Sequence, residues 1–156
     1  MSTKKILTIV VTFCIVIIAI DQLSKYLVTK NVTEKIGNDY FAIEVTENTG
    51  MAFGFNSGNT KNIFLSLIVI FIIISFIRNQ RELIGTKELM AISLALGGGI
   101  SNIIDRVFRG GVLDFIKVLF IPNFNIADLC ICTGWILIVI FLIIYTKKEE
   151  VFKQEK

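Results

Sequence analysis

Four aspartates hold most of the chemistry this chain can offer: Asp21, Asp105, Asp114 and Asp128. Asn102 and Asp105 stand three residues apart, which on a helix lets both reach one ligand or neighbour. Asn125 and Asp128 repeat that spacing, so Asn125 can orient the carboxylate. Asp114 follows the flexible pair Gly110-Gly111 and sits inside Val112-Leu113-Asp114-Phe115-Ile116, where desolvation raises a carboxyl pKa. Arg106 can neutralise a carboxylate or bind a carbonyl or phosphate. Two aspartates brought together from separate segments suggest a hydrolytic dyad. Like charges that close cannot both ionise, so one carboxylate activates water while its protonated partner polarises a carbonyl. The plainer role for a single aspartate is capping, and Asp128 is placed to cap or charge the start of a helix.

The rest of the sequence narrows the field. There is no histidine, which removes Ser-His-Asp and Cys-His catalysis and His-ligated zinc. Cys14, Cys130 and Cys132 all lie in apolar stretches and read as packing residues rather than a disulfide framework. No metal-ligand motif is present and no organic cofactor is expected. The net charge of +3 is small and dispersed, which argues against nucleic-acid binding.

These residues need elements to position them, and the composition says which kind. The 156-residue chain is 54% hydrophobic and only 19% charged, below the ~25% of soluble domains, so it reads as one integral membrane domain. Residues 6–20, 62–77, 89–104 and 129–146 are uncharged runs of 15 to 18 residues. At about 1.5 Å per residue each is shorter than a hydrocarbon core of about 30 Å, so each helix must extend into its polar flanks. Helices are expected over approximately 5–26, 60–78, 88–106 and 126–147. The first run is not expected to be a cleaved signal peptide, because it ends Ile18-Ala19-Ile20-Asp21 with no small-x-small pattern.

Segments 1–5, 78–88 and 146–156 hold 9 basic residues in 27, against 7 in 65 for segments 21–61 and 105–128. The positive-inside rule then places both termini in the cytoplasm. All four aspartates would gather at the opposite membrane face, where ionisable residues default to a functional role. Ser93, Gly97, Ser101 and Asp105 are spaced by four, a small-residue packing stripe that leads to a carboxylate. The 31–58 region is expected to form a small extracytoplasmic β-sheet. Phe41-Ala42-Ile43-Glu44-Val45-Thr46 alternates, Glu47-Asn48-Thr49-Gly50 reads as a turn, and Met51-Ala52-Phe53-Gly54-Phe55 as a second strand or interfacial segment. The fold class is therefore all-α membrane, four helices with that sheet between the first two.

Five segments in order resemble the lipoprotein signal peptidase family, signal peptidase II of bacteria. They are Asp21-Gln22-Leu23-Ser24-Lys25, Asn48-Thr49-Gly50-Met51-Ala52-Phe53-Gly54, Ser101-Asn102-Ile103-Ile104-Asp105-Arg106, Val112-Leu113-Asp114-Phe115 and Phe124-Asn125-Ile126-Ala127-Asp128. The main departure is Ser101, where the family often has glycine. The resemblance implies an aspartic endopeptidase with Asp114 and Asp128 as its dyad. It implies that Asn48, Gly50, Asn102, Arg106 and Asn125 shape or contact the substrate site, supported by Asp21, Lys25 and Asp105. The implied substrate is a diacylglyceryl-modified prolipoprotein in the bacterial cell membrane, cut just before its lipidated cysteine. Membrane lipid is the other implied partner, and a monomer can carry the whole site.

Two rival classes remain open at this point. A transporter would use the aspartates as an ion path, but none lies within an uncharged run. A scaffold packing through Ser93, Gly97 and Ser101 would explain the small residues but not the Asp and Asn pairs.

Overall fold

The computed structural model describes residues 1–50, 58–79 and 84–154. Eight elements follow one another: α1 (Thr3–Asn31), β1 (Ile36–Gly37), β2 (Phe41–Asn48), α2 (Asn59–Asn79), α3 (Thr86–Phe108), β3 (Val112–Val118), β4 (Ile121–Phe124) and α4 (Ile126–Gln154). All four helices are long and apolar enough to cross a membrane, the α4 span being Ile126–Tyr145. Each is longer than its uncharged run, because water-facing polar groups can be tolerated only where the helix leaves the hydrocarbon.

The helices differ in what surrounds them. In α3, 56% of the apolar span is buried, against 11–22% in the other three. Small residues permit this. A Cβ on Gly97 would meet Ile17 Cβ at 3.0 Å, which sets α1 flush against α3. One on Gly98 would strike the Ala127 carbonyl oxygen, and one on Gly134 the Ala91 oxygen at 2.7 Å, so α4 lies equally close on another side. The outward faces of α1, α2 and α4 remain apolar and exposed, with Leu7, Phe71 and Ile136 each about 60% exposed or more.

The interior is two-ended. Ile6, Cys14, Ile73, Ile77, Leu89, Ile92 and Leu96 form an apolar core between the first half of α1, the end of α2 and the first half of α3. At the other end of α1 and α3 the buried side chains are polar: Asp21, Lys25, Ser101, Asn102 and Asp105.

The sheet is antiparallel in the order β1-β2-β3-β4. Its make-up corrects one expectation. Only half of it comes from between the first two helices; β3 and β4 come from between α3 and α4. Val112-Leu113-Asp114-Phe115-Ile116 has no period-two alternation because four of its five residues are apolar and all but Ile116 are buried, so periodicity could not reveal a strand. β2 also runs through Glu47 and Asn48, where a turn was expected, and the turn starts at Asn48. The expected strand at residues 51–55 lies outside the described residues. Between Ile43↔Ile116 and Thr46↔Asp114 the register shifts, a bulge that re-aims the strands next to Asp114.

Candidate active site

The first turn of α4 begins with a reciprocal cap. Asp128 N–H donates to Asn125 Oδ1 at 2.9 Å, and Asn125 N–H donates back to Asp128 Oδ2 at 3.2 Å. The capping role anticipated for Asp128 is thus real, and it does not exclude another. The Asn125 amide nitrogen is left to reach away from the helix. It donates to Asp114 Oδ1 at 2.7 Å and lies 3.3 Å from both Leu113 O and Asn102 Oδ1. One fully buried asparagine therefore touches both carboxylates.

Asp114 is carried by β3 opposite Thr46, whose hydroxyl donates to the Asp114 carbonyl at 3.3 Å. Asn48, at the end of β2, donates from Nδ2 to Asp114 Oδ2 at 3.0 Å. Its own Oδ1 accepts the Gly50 N–H at 3.0 Å, which fixes the amide's direction. Asp114 is 2% exposed. Burial pushes its carboxyl up to about 6, against the downward pull of the Asn48 and Asn125 hydrogen bonds, with Asp128 adding to the rise.

Asp128 takes its second donor from α3, where Asn102 Nδ2 donates to Oδ1 at 2.8 Å. The orientation of that amide is imposed from behind. Asn102 Oδ1 receives Lys25 Nζ and Asn125 Nδ2, each at 3.3 Å, so its nitrogen must face Asp128. Lys25 is wholly buried between two wholly buried carboxylates, 2.6 Å from Asp21 Oδ2 and 2.7 Å from Asp105 Oδ2. Arg109 Nε adds a contact to Asp105 Oδ1 at 3.3 Å. Asp21 Oδ1 accepts the Ala127 N–H at 2.9 Å, which places a carboxylate at the positive end of α4. Arg106 reaches carbonyls rather than carboxylates: Nη2 donates to Gly50 O at 3.0 Å and Nη1 to Asn102 O at 3.4 Å. Its Nε is buried with no hydrogen-bond partner among the described residues, as is Asn59 Oδ1.

All ten residues singled out from the sequence meet here, in two linked groups. Asn48, Asn102, Asn125, Asp114 and Asp128 form one; Asp21, Lys25 and Asp105 the other, with Gly50 entering through its carbonyl to Arg106. Sequence reasoning passed over Gln22 and the hydroxyl of Ser101. Gln22 Nε2 donates to Ser101 Oγ and Asp105 Oδ1, both at 3.0 Å, and Ser101 Oγ donates to Asp21 Oδ2 at 2.7 Å. Ser101 was legible only as a small residue on the stripe, and Gln22 stood within the Asp21–Lys25 motif without a role. Asn59 was also missed; its Nδ2 donates to Arg106 O at 2.9 Å. Among the described residues no three His, Cys, Asp or Glu side chains are grouped to hold a metal ion.

The constellation of motifs and fold has known counterparts. Residues 13–144 match the family model described as signal peptidase (SPase) II. This chain belongs to that family. The lipoprotein signal peptidase of Bacillus pumilus (strain SAFR-032) is 37% identical over 149 residues, covering 86% of this chain and 92% of that protein. Two solved bacterial membrane enzyme structures, both obtained by the in meso method, are similar in fold. One, at 2.3 Å resolution, has a TM-score of 0.77 at 28% identity and covers 89% of this chain and 90% of its own. The other, at 1.9 Å, has a TM-score of 0.73 at 30% identity, covering 85% and 91%. Signal peptidase II membership makes the chain a protease of lipoprotein processing, and its four apolar helices fit a multi-pass bacterial membrane protein.

Proposed function

We propose that this chain is an aspartic endopeptidase that removes the signal peptide from diacylglyceryl-modified prolipoproteins, cutting before the lipidated cysteine. The observation that carries the reading is Asn125, which bonds both Asp114 and Asp128 and so holds two carboxyls from separate segments at one place. In the proposed reaction one carboxyl of the pair is ionised and the other protonated, since like charges that close cannot both ionise. Each accepts two N–H donors, Asp114 from the Asn48 and Asn125 side chains and Asp128 from the Asn102 side chain and the Asn125 backbone. Water lodged between them attacks the scissile carbonyl as the ionised member takes its proton and the protonated member hydrogen-bonds the carbonyl oxygen. The tetrahedral species collapses as a proton passes to the departing amine. No covalent intermediate, metal or organic cofactor takes part. Asn48, Asn102 and Asn125 hold the carboxyls, Arg106 and Gly50 meet the substrate backbone, and Asp21, Lys25 and Asp105 support the assembly from below.

The same reading puts both termini in the cytoplasm and the site at the extracytoplasmic face, with a single copy sufficient. A lipidated cysteine is held at the headgroup level. Carboxyls at the start of α4 and on β3, just past the end of α3, lie at that depth in this reading, where water can still enter. The test is cleavage of a diacylglyceryl-modified lipobox peptide by the purified protein in detergent, beside Asp114→Asn and Asp128→Asn. The expected result is cleavage before the modified cysteine by the unaltered chain alone. Cleavage by either variant at full rate would overturn the dyad.

A further inference from the structure

The connection between β3 and β4 is made of residues that a turn does not ask for. Val118 pairs with Ile121, leaving Leu119-Phe120 as a two-residue hairpin loop. Leu119 has φ 52°, and a two-residue loop with positive φ at its first position is where glycine belongs. Leucine there is strained, and it is 43% exposed; Phe120 beside it is 97% exposed. Local backbone chemistry therefore gives no reason for either side chain. Nor does packing among the described residues.

The neighbours of this loop extend the pattern. Leu119 N–H donates to Tyr40 O at 2.6 Å, and Phe41 pairs with Val118, so the start of β2 lies alongside the loop. Tyr40 and Phe41 are each 60% exposed and Ile121 56%. Five large apolar or aromatic side chains thus share one end of the sheet, and residues 118–124 carry no charge. The nearest charged side chains are spent on each other, Lys117 with Glu44 at 3.1 Å and Lys35 with Asp39 at 2.7 Å. Aromatic residues mixed with aliphatic ones, at the rim of apolar spans, are the composition of a membrane–water interface. Both feet of the hairpin stand where spans end: β3 begins just past Phe108, itself 82% exposed, and β4 runs directly into α4.

We propose that the Leu119-Phe120 loop, flanked by Tyr40, Phe41 and Ile121, is a lipid anchor that enters the headgroup–acyl boundary of the bilayer. Burial of these side chains in lipid offsets the strain at Leu119. The anchor fixes the far end of β3, the strand whose near end carries Asp114, against the membrane surface. Four residues at about 3.3 Å each separate Asp114 from Val118, so the anchor stands roughly 13 Å from the carboxyl. The inference rests on the membrane placement of the helices and not on the aspartic dyad.

The chain contains a single tryptophan, Trp135, which is 43% exposed on α4. It lies nine residues into the helix, about 14 Å at 1.5 Å per residue, near the middle of a ~30 Å core. It serves as a depth standard. The experiment places the full-length protein in phosphatidylglycerol–phosphatidylcholine vesicles carrying bromines either near the headgroup or deep in the acyl chains. Trp135 is read in the unaltered chain, and the loop is read in Trp135→Phe with Phe120→Trp. The expected result is that the deep bromines quench Trp135 most. The loop tryptophan should be quenched several-fold more by the shallow bromines than by aqueous iodide. Quenching by iodide alone would overturn the anchor, whatever the fate of the peptidase assay. So would protection from iodide that is lost as the protein is diluted into more lipid, since a second copy would then be the cover. Protection that appears only after adding lipobox peptide would assign the loop to substrate and overturn it too. A companion variant, Leu119→Gly with Phe120→Asn, keeps a well-formed turn, so its expected loss of vesicle protection around the loop in hydrogen exchange cannot be blamed on unfolding.

Discussion

The molecule holds two neighbouring pairs of carboxylates, Asp21 with Asp105 and Asp114 with Asp128, all buried except Asp128, which is partly so, and it treats the pairs in opposite ways. Asp21 and Asp105 are clamped by Lys25 at 2.6 and 2.7 Å, with Ser101, Gln22, the Ala127 N–H and Arg109 taking up further oxygen sites. Asp114 and Asp128 receive only amide donors, from Asn48, Asn102 and Asn125, and neither is in ion-pair contact among the described residues. A cation at contact distance pairs with a carboxylate and commits its lone pairs. Neutral amides position a carboxyl while leaving its proton free to come and go. The same residue type is thus made structural in one place and chemically available in the other, solely by the charge of its donors.

The comparison can be broken most decisively at the amide-held pair. Asp114→Asn or Asp128→Asn should lower cleavage of a lipobox peptide by more than about 10²-fold, the scale of a lost general acid–base group, while both variants still fold in detergent. Comparable residual activity in both variants would put the chemistry elsewhere. At the cation-held pair the expectation reverses, and stability suffers first. Lys25→Met strands two buried charges and should destabilise the fold by about 3–5 kcal/mol, read as a lower unfolding temperature. Ser101→Ala removes one hydrogen bond to the Asp21 carboxylate and should cost about 1.5–3 kcal/mol while retaining most activity. An equal loss of cleavage would mean that the two pairs are not separable.

The smallest effect concerns pH. The Asp114 carboxyl is raised to about 6 in the folded chain. It therefore favours the fold at acid pH and opposes it increasingly as pH climbs from the unfolded value of about 4 through 6. Asp114→Asn cannot titrate, so its unfolding temperature should gain on the unaltered chain across that interval and stay ahead above it. A constant difference from pH 4 to 8 would count against a raised carboxyl. Cleavage should follow a bell whose two limbs belong to the pair rather than to either residue.

Much of this was written in the sequence, for reasons that are physical. Uncharged runs reveal spans because a charge in hydrocarbon is expensive. The i,i+3 pairs Asn102/Asp105 and Asn125/Asp128 announced polar groups at helix ends. In the structure Asn102 and Asp105 do share a neighbour, Lys25. What stayed hidden was long-range. β3 lacked alternation because its apolar residues are buried on both faces, and nothing local says that it lies beside β2, over sixty residues upstream. Lys25 entered the site only through the Asp21–Lys25 motif and its resemblance; spacing alone could not show that it sits between Asp21 and Asp105. Gly50 acts through a backbone oxygen, which leaves no signature in residue type. Ser101 shows how a size-based reading can be right and incomplete: the residue packs, and its hydroxyl bonds a carboxylate.

Asn125 and Ala127 tie the start of α4 to groups made much earlier in the chain, Asp114, Asn102 and Asp21. Synthesis runs from the amino end, so α4 leaves the ribosome after α1, α2 and α3. Until it has threaded into the bilayer and its first turn has closed, Asp128 has no place and Asp114 lacks its shortest hydrogen bond. If the proposed dyad is the catalytic centre, a half-made chain in the insertion machinery therefore holds no working scissors. The order of biogenesis itself acts as the safety catch.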